Sequence, residues 1–234
     1  MSNYKLIGVG TNAKTIKGDG SEYLTAILYM KPGGSLCPMS KIAGCEGPCL
    51  YKAGRGAMNC VQASRTRKAE LYRNNRQLFN ETLVKDLTKF QNYCIKRDIT
   101  PVVRLNGTSD ILFLDIIEQF PRITFYDYTK VVNRVRKDLP TNYHITLSYS
   151  EANKDYAMDV INHAYEHNVN MAVVFRNPEH IPTTFYGMPV IDGDKDDLRF
   201  LDPSNGPHVV ALYAKGPAKK DTSGFVIDTF KGVA

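Results

Sequence analysis

Three cysteines lie close together in one stretch rich in glycine and proline, and they are the residues best suited to chemistry. Cys37, Cys45 and Cys49 have the spacing C-x7-C-x3-C. A stretch of this composition does not form regular helix or strand, so it needs another means of organisation. Thiolates that converge on a metal provide one, because cysteine binds both zinc and iron–sulfur clusters.

The spacing alone leaves an iron–sulfur cluster, a zinc site and free thiols open. Three cysteines do not complete the usual structural zinc site, and Cys60 could supply a fourth sulfur. No histidine precedes His144. A [4Fe–4S] cluster also takes four ligands by default, so three cysteines would leave one iron open to a small molecule. Cys94 lies on the apolar side of a predicted helix, where we expect a buried small hydrophobic residue instead of a ligand.

Composition indicates a globular chain. Apolar residues make up 43% and charged residues 23%, which is ordinary for globular domains. No apolar run reaches the roughly 18 residues of a membrane span, and the first residues lack the apolar core of a signal peptide. We therefore expect one domain over residues 1–234, no membrane contact and a cytoplasmic location, in the host if the protein is viral. Thiols stay reduced in that compartment, which favours metal binding or catalysis over disulfides.

The net charge of +6 permits contact with nucleic acid. Basic residues concentrate in a predicted helix over residues 62–76, which includes Arg65, Arg67 and Arg73. Aromatic residues interleave poorly with these cations, so the helix does not present a stacking platform. A basic nucleic-acid-binding protein with a structural metal site or cluster is therefore the alternative function.

The order of predicted elements indicates an α/β fold. A strand within residues 21–30 precedes the cysteine loop at 31–60, and two helices follow, from about residue 60 and over 80–97. Four strand–loop–helix steps come next, with strands at 101–105, 122–126, 143–147 and 169–175 and helices at 111–120, 130–137 and 154–167. Residues 4–19 read as a short strand and turn, and 208–215 as a further strand. Such alternation predicts a partial or closed (β/α) barrel of parallel strands over residues 20–216.

Polar residues follow each predicted strand, and in such barrels these positions gather on one face. The candidates for ligand binding there are Asn106, Thr108, Ser109, Asp110, Lys130, Ser148 and Arg176. Each also has an ordinary structural interpretation. Residues 106–110 could form a turn and helix cap, and Lys130 with residues 134–137 could form a solvated basic face. The aspartates at 192–197 lack the length of a calcium loop, so we expect a solvated turn there.

Four ordered landmarks over residues 20–180 resemble those of uncharacterised bacteriophage proteins with a radical-SAM-like barrel and a three-cysteine iron–sulfur block. The first is the block G-C-E-G-P-C-L-Y at 44–51, followed by the basic helix. The others are a strand that ends in Ser-Asp at 109–110, a strand that ends in Thr-Lys at 129–130 with Arg134 soon after, and a Ser-rich turn at 148–150. The wider superfamily of radical S-adenosylmethionine (radical SAM) enzymes usually carries C-x3-C-x2-C instead.

The resemblance implies a [4Fe–4S] cluster on the three cysteines whose open iron binds S-adenosylmethionine and cleaves it reductively, in an enzyme whose substrate is unknown. Residues 106–110 stand where radical SAM enzymes typically have a Gly-Gly-Glu-Pro turn for the methionine amino group. Asp110 would accept from the ammonium or the ribose hydroxyls, with Thr108 and Ser109 as neutral partners. Lys130 or Arg176 would pair with the methionine carboxylate, and Ser148 would meet the ligand from the fourth strand.

Overall fold

The structure, a computed structural model, describes residues 6–9 and 22–229. Within these ranges ten strands alternate with four α-helices. The strands are β1 (Ile7–Val9), β2 (Tyr23–Leu28), β3 (Thr100–Arg104), β4 (Thr124–Thr129), β5 (Tyr143–Ser148), β6 (Met171–Phe175), β7 (Thr184–Phe185), β8 (Met188–Asp192), β9 (Val209–Tyr213) and β10 (Val226–Ile227). The helices are α1 (Asn59–Asn74), α2 (Arg76–Ile95), α3 (Leu114–Ile117) and α4 (Lys154–His167).

The strands form one ten-stranded, mostly parallel sheet. Strands β2, β3, β4, β5, β6, β9 and β8 lie in that order, each parallel to its neighbour. β1 pairs antiparallel with β2 at one edge, β7 pairs antiparallel with β8 at the other, and β10 runs parallel to β6. The predicted α/β class with parallel strands is therefore confirmed. The sheet is not closed by the pairings among the described residues, so the barrel stays a prediction.

Apolar side chains on one face of the sheet pack against the helices. α2 contributes buried residues at steps of three and four, as an amphipathic helix requires: Phe79, Leu83, Leu87, Phe90 and Cys94. α4 contributes a second stripe that includes Val160 and Ala164 and packs on β5 and β6. Cys94 is 0% exposed inside the first cluster, so its predicted role as a buried hydrophobic residue is confirmed.

The other face of the sheet carries polar and aromatic side chains. Arg104 of β3 lies 3.4 Å from the carboxylate of Asp197, and the two side chains are 8% and 6% exposed. The Tyr126 hydroxyl donates to the same carboxylate at 3.1 Å. The Phe200 ring packs edge-on against Tyr23, with the centroids 5.3 Å apart. The segment around residues 197–200 therefore covers part of this face of the sheet, against β2, β3 and β4.

The predicted solvated turn of aspartates is wrong for Asp197, which is 4% exposed. Asp194 also has partners, since it accepts the Tyr213 backbone N–H at 2.8 Å and pairs with Lys215. Only contacts distant in sequence create this burial, and the local run D-G-D-K-D-D carries no sign of them.

Two segments predicted as helices are mostly not helical. Within residues 111–120 only α3 forms, and the Ile111 N–H before it donates to the Asn106 side chain at 2.8 Å instead of to a helical carbonyl. Residues 130–137 contain one 3-10 turn, Val132–Arg134. The β-branched valines of this segment disfavour a helix, and Arg134 turns inward to pair with Asp110.

The strands β7 and β8 were not predicted from the sequence. They form a hairpin whose two turn residues, Tyr186 and Gly187, both have positive φ, as in a type I′ turn. Of the predicted strand and turn at residues 4–19, the structure shows β1, and residues 10–19 lie outside the described part. No helix within the described ranges has the length and apolarity needed to cross a membrane.

Replacing Asp197 with asparagine should destabilise the fold by about 3–5 kcal/mol, because it leaves the Arg104 guanidinium buried without its counter-charge. Asp138→Asn is the matched control, since Asp138 is 73% exposed in its pair with Arg136 and such pairs contribute about 1 kcal/mol or less. Urea denaturation of both variants would measure the difference. Equal free energies of unfolding would contradict a structural role for the buried pair.

Candidate metal and ligand site at the carboxyl ends of the strands

A cavity of about 200 Å³ lies at the carboxyl ends of the parallel strands, below the cysteine loop. All three candidate metal ligands line it: Cys37, Cys45 and Cys49. Six of the seven candidate ligand-binding residues also line it: Asn106, Thr108, Ser109, Asp110, Lys130 and Ser148. Residues more than 100 positions apart in sequence are thus brought together as parallel strand ends require.

Arg176 is the candidate that does not line the cavity. Its guanidinium pairs with Asp228 and donates to the backbone oxygens of Lys219, at 2.8 Å, and Asp221, at 2.6 Å. These bonds tie the end of β6 to the segment before β10. Of the two basic residues proposed for the methionine carboxylate, only Lys130 is therefore in place.

The cysteine loop is organised by its own turns and by two distant segments. The Cys45 N–H donates to the Ser40 oxygen at 3.0 Å, and the Ser40 hydroxyl donates to Glu46 at 2.9 Å. From the far end of the chain, the Ser223 hydroxyl donates to the Gly44 oxygen at 2.9 Å. Gly44 has a φ of +63°, and an added Cβ would lie 2.7 Å from the Ser223 hydroxyl, so glycine is required at this contact.

The loop after β3 joins the cysteine loop to the sheet. The Asp110 N–H donates to the Leu36 oxygen at 2.7 Å, and the Thr108 hydroxyl donates to the Met30 oxygen at 2.6 Å. The Cys37 thiol in turn lies 3.8 Å from the Thr108 oxygen, to which it donates. Cys37 is therefore fixed directly against the residues that follow β3.

The Asn106 side chain closes this loop on itself. Its amide donates to the Ile111 oxygen at 2.8 Å and to Asp127 at 3.0 Å, and its oxygen accepts from the Ser109 hydroxyl at 2.9 Å. Asp127 is 2% exposed, and burial raises the pKa of its carboxyl to about 7. The two hydrogen bonds that Asn106 donates to Asp127 oppose that rise by favouring the carboxylate. The turn interpretation of residues 106–110 therefore holds for Asn106 and Ser109.

Asp110 links β3 to the end of β4. Its carboxylate accepts the Thr129 hydroxyl at 2.8 Å and the Lys130 backbone N–H at 2.8 Å, and it pairs with Arg134. Arg134 also donates to the Asp110 backbone oxygen at 3.1 Å. The carboxylate is thus engaged by protein donors on both oxygens, and it holds Lys130 in position.

Lys130 is one of the cations that line the cavity. Its ammonium donates to the Ser148 hydroxyl at 2.5 Å and lies 5.0 Å from the centre of the Phe225 ring. It is close enough to Cys49 to oppose the rise in the pKa of that thiol. Within the part of the chain that the structure describes, no carboxylate pairs with it. Lys130 is therefore not on a solvated face, and its charge is available to an anion.

The thiols share one poorly solvated environment. Burial raises the pKa of Cys37 to about 11, and the neighbouring Cys45 and Cys49 add to the rise. Burial also raises the pKa of Cys49. Because the neighbouring thiolates add to the rise in the pKa of Cys37 and Cys49, a cation among the thiols would favour their ionised forms.

A preformed metal site is not present among the described residues, where no three His, Cys, Asp or Glu side chains are grouped closely enough to hold an ion. The three thiols line one cavity, and Cys45 and Cys49 influence the pKa of Cys37. Cys60 is exposed and does not line the cavity. The cluster and its ligands stay a prediction.

Arg104 and Tyr128 also line the cavity and were missed in the sequence. The Arg104 guanidinium lies 4.6 Å from the centre of the Tyr128 ring. An arginine within the apolar run P-V-V-R-L was the available signal, because a charge in a buried strand needs a partner. That partner, Asp197, is 93 residues away in sequence.

Helix α1 confirms the predicted helix at 62–76, but several of its cations are engaged with protein groups. The Arg65 guanidinium lies 4.5 Å from the Tyr29 ring centre, and the Lys68 ammonium donates to the Leu6 oxygen at 2.7 Å. Burial lowers the pKa of Lys68 to about 8. Arg67 and Arg73 remain exposed. The helix therefore offers fewer free cations than its sequence suggests.

Comparison with known proteins finds one family. The model of a family described as Gene product 88 matches residues 4–229. Searches of curated proteins and of solved structures found no match. A gene-product description agrees with the phage-type family expected from the sequence, and it contains no reference to radical SAM chemistry or to iron.

The thiols of the metal-free protein should differ in reactivity. At pH 8 a thiol with a pKa of about 11 is ionised to only about one part in a thousand, and the thiolate is the reactive form. Iodoacetamide should therefore modify exposed Cys60 at least about ten times faster than Cys37, while buried Cys94 reacts only after unfolding. Peptide mass spectrometry over time would give each rate, and equal rates for Cys37 and Cys60 would contradict the described burial.

Proposed function

Because the chain belongs to the gene product 88 family, whose description states no reaction, we propose its function from the cavity itself. It is an iron–sulfur protein resembling radical SAM enzymes, in which Cys37, Cys45 and Cys49 hold a [4Fe–4S] cluster and S-adenosylmethionine binds beside it. The supporting observation is that three cysteines of an irregular loop line one cavity at the strand ends. On this proposal the ten-stranded sheet is the open form of a radical-SAM-like barrel.

The thiols suit such a cluster by their chemistry. They are half-buried, they influence one another electrostatically, and two of them have a raised pKa, so a bound cation would stabilise the thiolates. Three protein ligands leave one iron available to a small molecule. When bound, the cluster supplies an electron for reductive cleavage of S-adenosylmethionine. The protein's own residues bind the ligand, orient it and exclude water.

Lys130 is the residue suited to hold the methionine carboxylate. Its ammonium lies in the cavity near Cys49 with no described carboxylate partner, and a charge-assisted hydrogen bond to a carboxylate is among the stronger polar contacts. Ser148 accepts from Lys130 and thereby orients it. Asp110 acts as a positioning residue through its hydrogen bond to the Lys130 backbone and its pair with Arg134.

The remaining candidates have mainly a structural part. Asn106, Thr108 and Ser109 each donate a hydrogen bond to a protein acceptor in the loop that fixes Cys37. Their side chains can still accept or donate further bonds at the cavity wall. The alternative of nucleic-acid binding through the basic helix has less support, because Arg65 and Lys68 are engaged with the protein.

Anaerobic purification with iron and sulfide analysis tests the cluster. The wild-type protein should contain about four irons per chain and a broad absorption band near ~400 nm, and Cys45→Ala should lose both. Cys60→Ala is the matched control and should keep them, because Cys60 lies outside the cavity. A colourless protein with one zinc, or loss of iron in Cys60→Ala, would refute the three-cysteine cluster.

The role of Lys130 is tested by binding of S-adenosylmethionine to the reconstituted protein. Lys130→Gln should raise the dissociation constant about ten-fold or more, since hydrogen bonds to charged groups contribute about 1.5–3 kcal/mol. Lys85→Gln is the control, because Lys85 is exposed in α2 and does not line the cavity, and it should leave the constant unchanged. Isothermal titration calorimetry gives both values. Equal weakening by the two variants would exclude the assigned role of Lys130.

A further inference from the structure

Two short 3-10 turns meet at the mouth of the cavity. One is Leu50–Lys52, directly after Cys49, and the other is Gly216–Lys220, after β9. They are in close contact, since a Cβ added to Gly216 would lie 2.7 Å from the Cβ of Ala53. Leu50 and Ala218 line the cavity from these two turns. We call the surface formed by the two turns the rim.

The rim carries free positive charge. Lys52, Lys219 and Lys220 are all exposed, and within the described ranges none of them pairs with a carboxylate. The Lys52 ammonium donates to the Glu46 backbone oxygen at 3.4 Å. The bond from Arg176 to the Lys219 oxygen holds the second turn in place. The rim therefore carries three ammonium groups that have no carboxylate partner among the described residues, and the backbone of its second turn is held by Arg176.

An aromatic ring packs against the second turn of the rim, since Phe225 lies on the buried cluster that includes Ala218. Phe225 and Tyr213 both line the cavity and are partly exposed. Lys130 lies below Phe225 and adds a positive charge inside the cavity. Cations that surround accessible aromatic rings are the arrangement with which proteins hold the phosphates and stack the bases of single-stranded nucleic acid.

We propose that the rim binds single-stranded nucleic acid, with phosphates on Lys52, Lys219 and Lys220 and a base stacked toward Phe225 at the cavity mouth. The proposal deepens the proposed function by naming the class of substrate, but the binding itself does not require the cluster. It places the contact on the rim instead of on helix α1. A single strand is favoured over a duplex because an accessible ring needs an unpaired base face to stack on.

Fluorescence anisotropy with a labelled oligothymidylate of about twelve nucleotides tests the proposal on the full chain. The triple variant Lys52→Gln, Lys219→Gln and Lys220→Gln removes the rim charges. The matched control is Lys85→Gln, Lys89→Gln and Lys96→Gln, which removes the same charge from exposed lysines in and directly after α2 on the helix-covered side. At about 0.1 M salt the rim variant should bind at least about ten-fold more weakly, and the control should bind as the wild type does.

Salt dependence and the aromatic contact give two further results. The slope of log K against log salt should fall by about 2 in the rim variant, since each phosphate contact to a single strand contributes about 0.7. Phe225→Leu should weaken binding about five-fold or more with the salt slope unchanged, because stacking is not an ionic contact. Thermal unfolding of each variant checks that the rim changes leave the fold intact.

Several outcomes would overturn the proposal. These are an absence of binding, equal weakening by the rim and control variants, tighter binding of the same sequence as a duplex, and equal competition by polyglutamate, which would indicate an acidic protein as the partner. Iron content is measured on the same samples, and binding is compared with and without reconstitution. Wild-type protein that binds the oligonucleotide but contains no iron would refute the proposed function and leave this proposal intact. Wild-type protein that contains the cluster but does not bind would refute this proposal alone.

Discussion

A long irregular loop holds the three cysteines, and its buried polar groups must find partners outside it. Within a packed structure an unpaired backbone N–H or C=O is costly, so such a loop has one conformation only if other segments satisfy it. Here the partners come from the loops that follow the strands and from the end of the chain. The Asp110 N–H binds the Leu36 oxygen before the first cysteine, and the Ser150 hydroxyl binds the Ala43 oxygen before the second. Ser223 binds the oxygen of Gly44. The cysteines are therefore positioned by the sheet and the chain end together.

The sequence predicted best those elements whose signals are local. Helix α4 has the predicted bounds, because Asn153 caps its first turn, accepting the Tyr156 N–H at 2.9 Å, and Asn168 ends it with a φ of +53°. Strands β3 to β6 and β9 were found because short β-branched runs alternate with loops. The convergence of the cysteines with Asn106 and Lys130 followed from parallel topology alone. These are inferences that need no side-chain geometry.

The features that were missed depend on contacts between distant residues. Arg104 and Asp197 form a buried pair only because the segment before β9 crosses the polar face of the sheet. For Lys130 the sequence left a ligand-binding role and a solvated face open, since its neighbours in sequence are basic, and only the structure shows that its backbone N–H donates to Asp110 and its ammonium to Ser148. Periodicity describes which face a residue occupies, and it does not describe which charge lies opposite.

Contacts between distant residues also decide which basic side chains remain available to a ligand. Helix α1 has many basic residues in its sequence, but some of their side chains pack against the protein instead of facing solvent. The Arg65 guanidinium, for example, lies over the Tyr29 ring. The rim assembles its charges from segments more than 160 residues apart, and β9 and β10 bring the second of them to the cavity. The two turns bury Tyr51 and Ala218, and their lysines remain in solvent. The segment after β9 therefore has two effects at the cysteine loop. Its Ser223 completes the hydrogen bonds of the loop, and its turn Gly216–Lys220 places lysines at the rim.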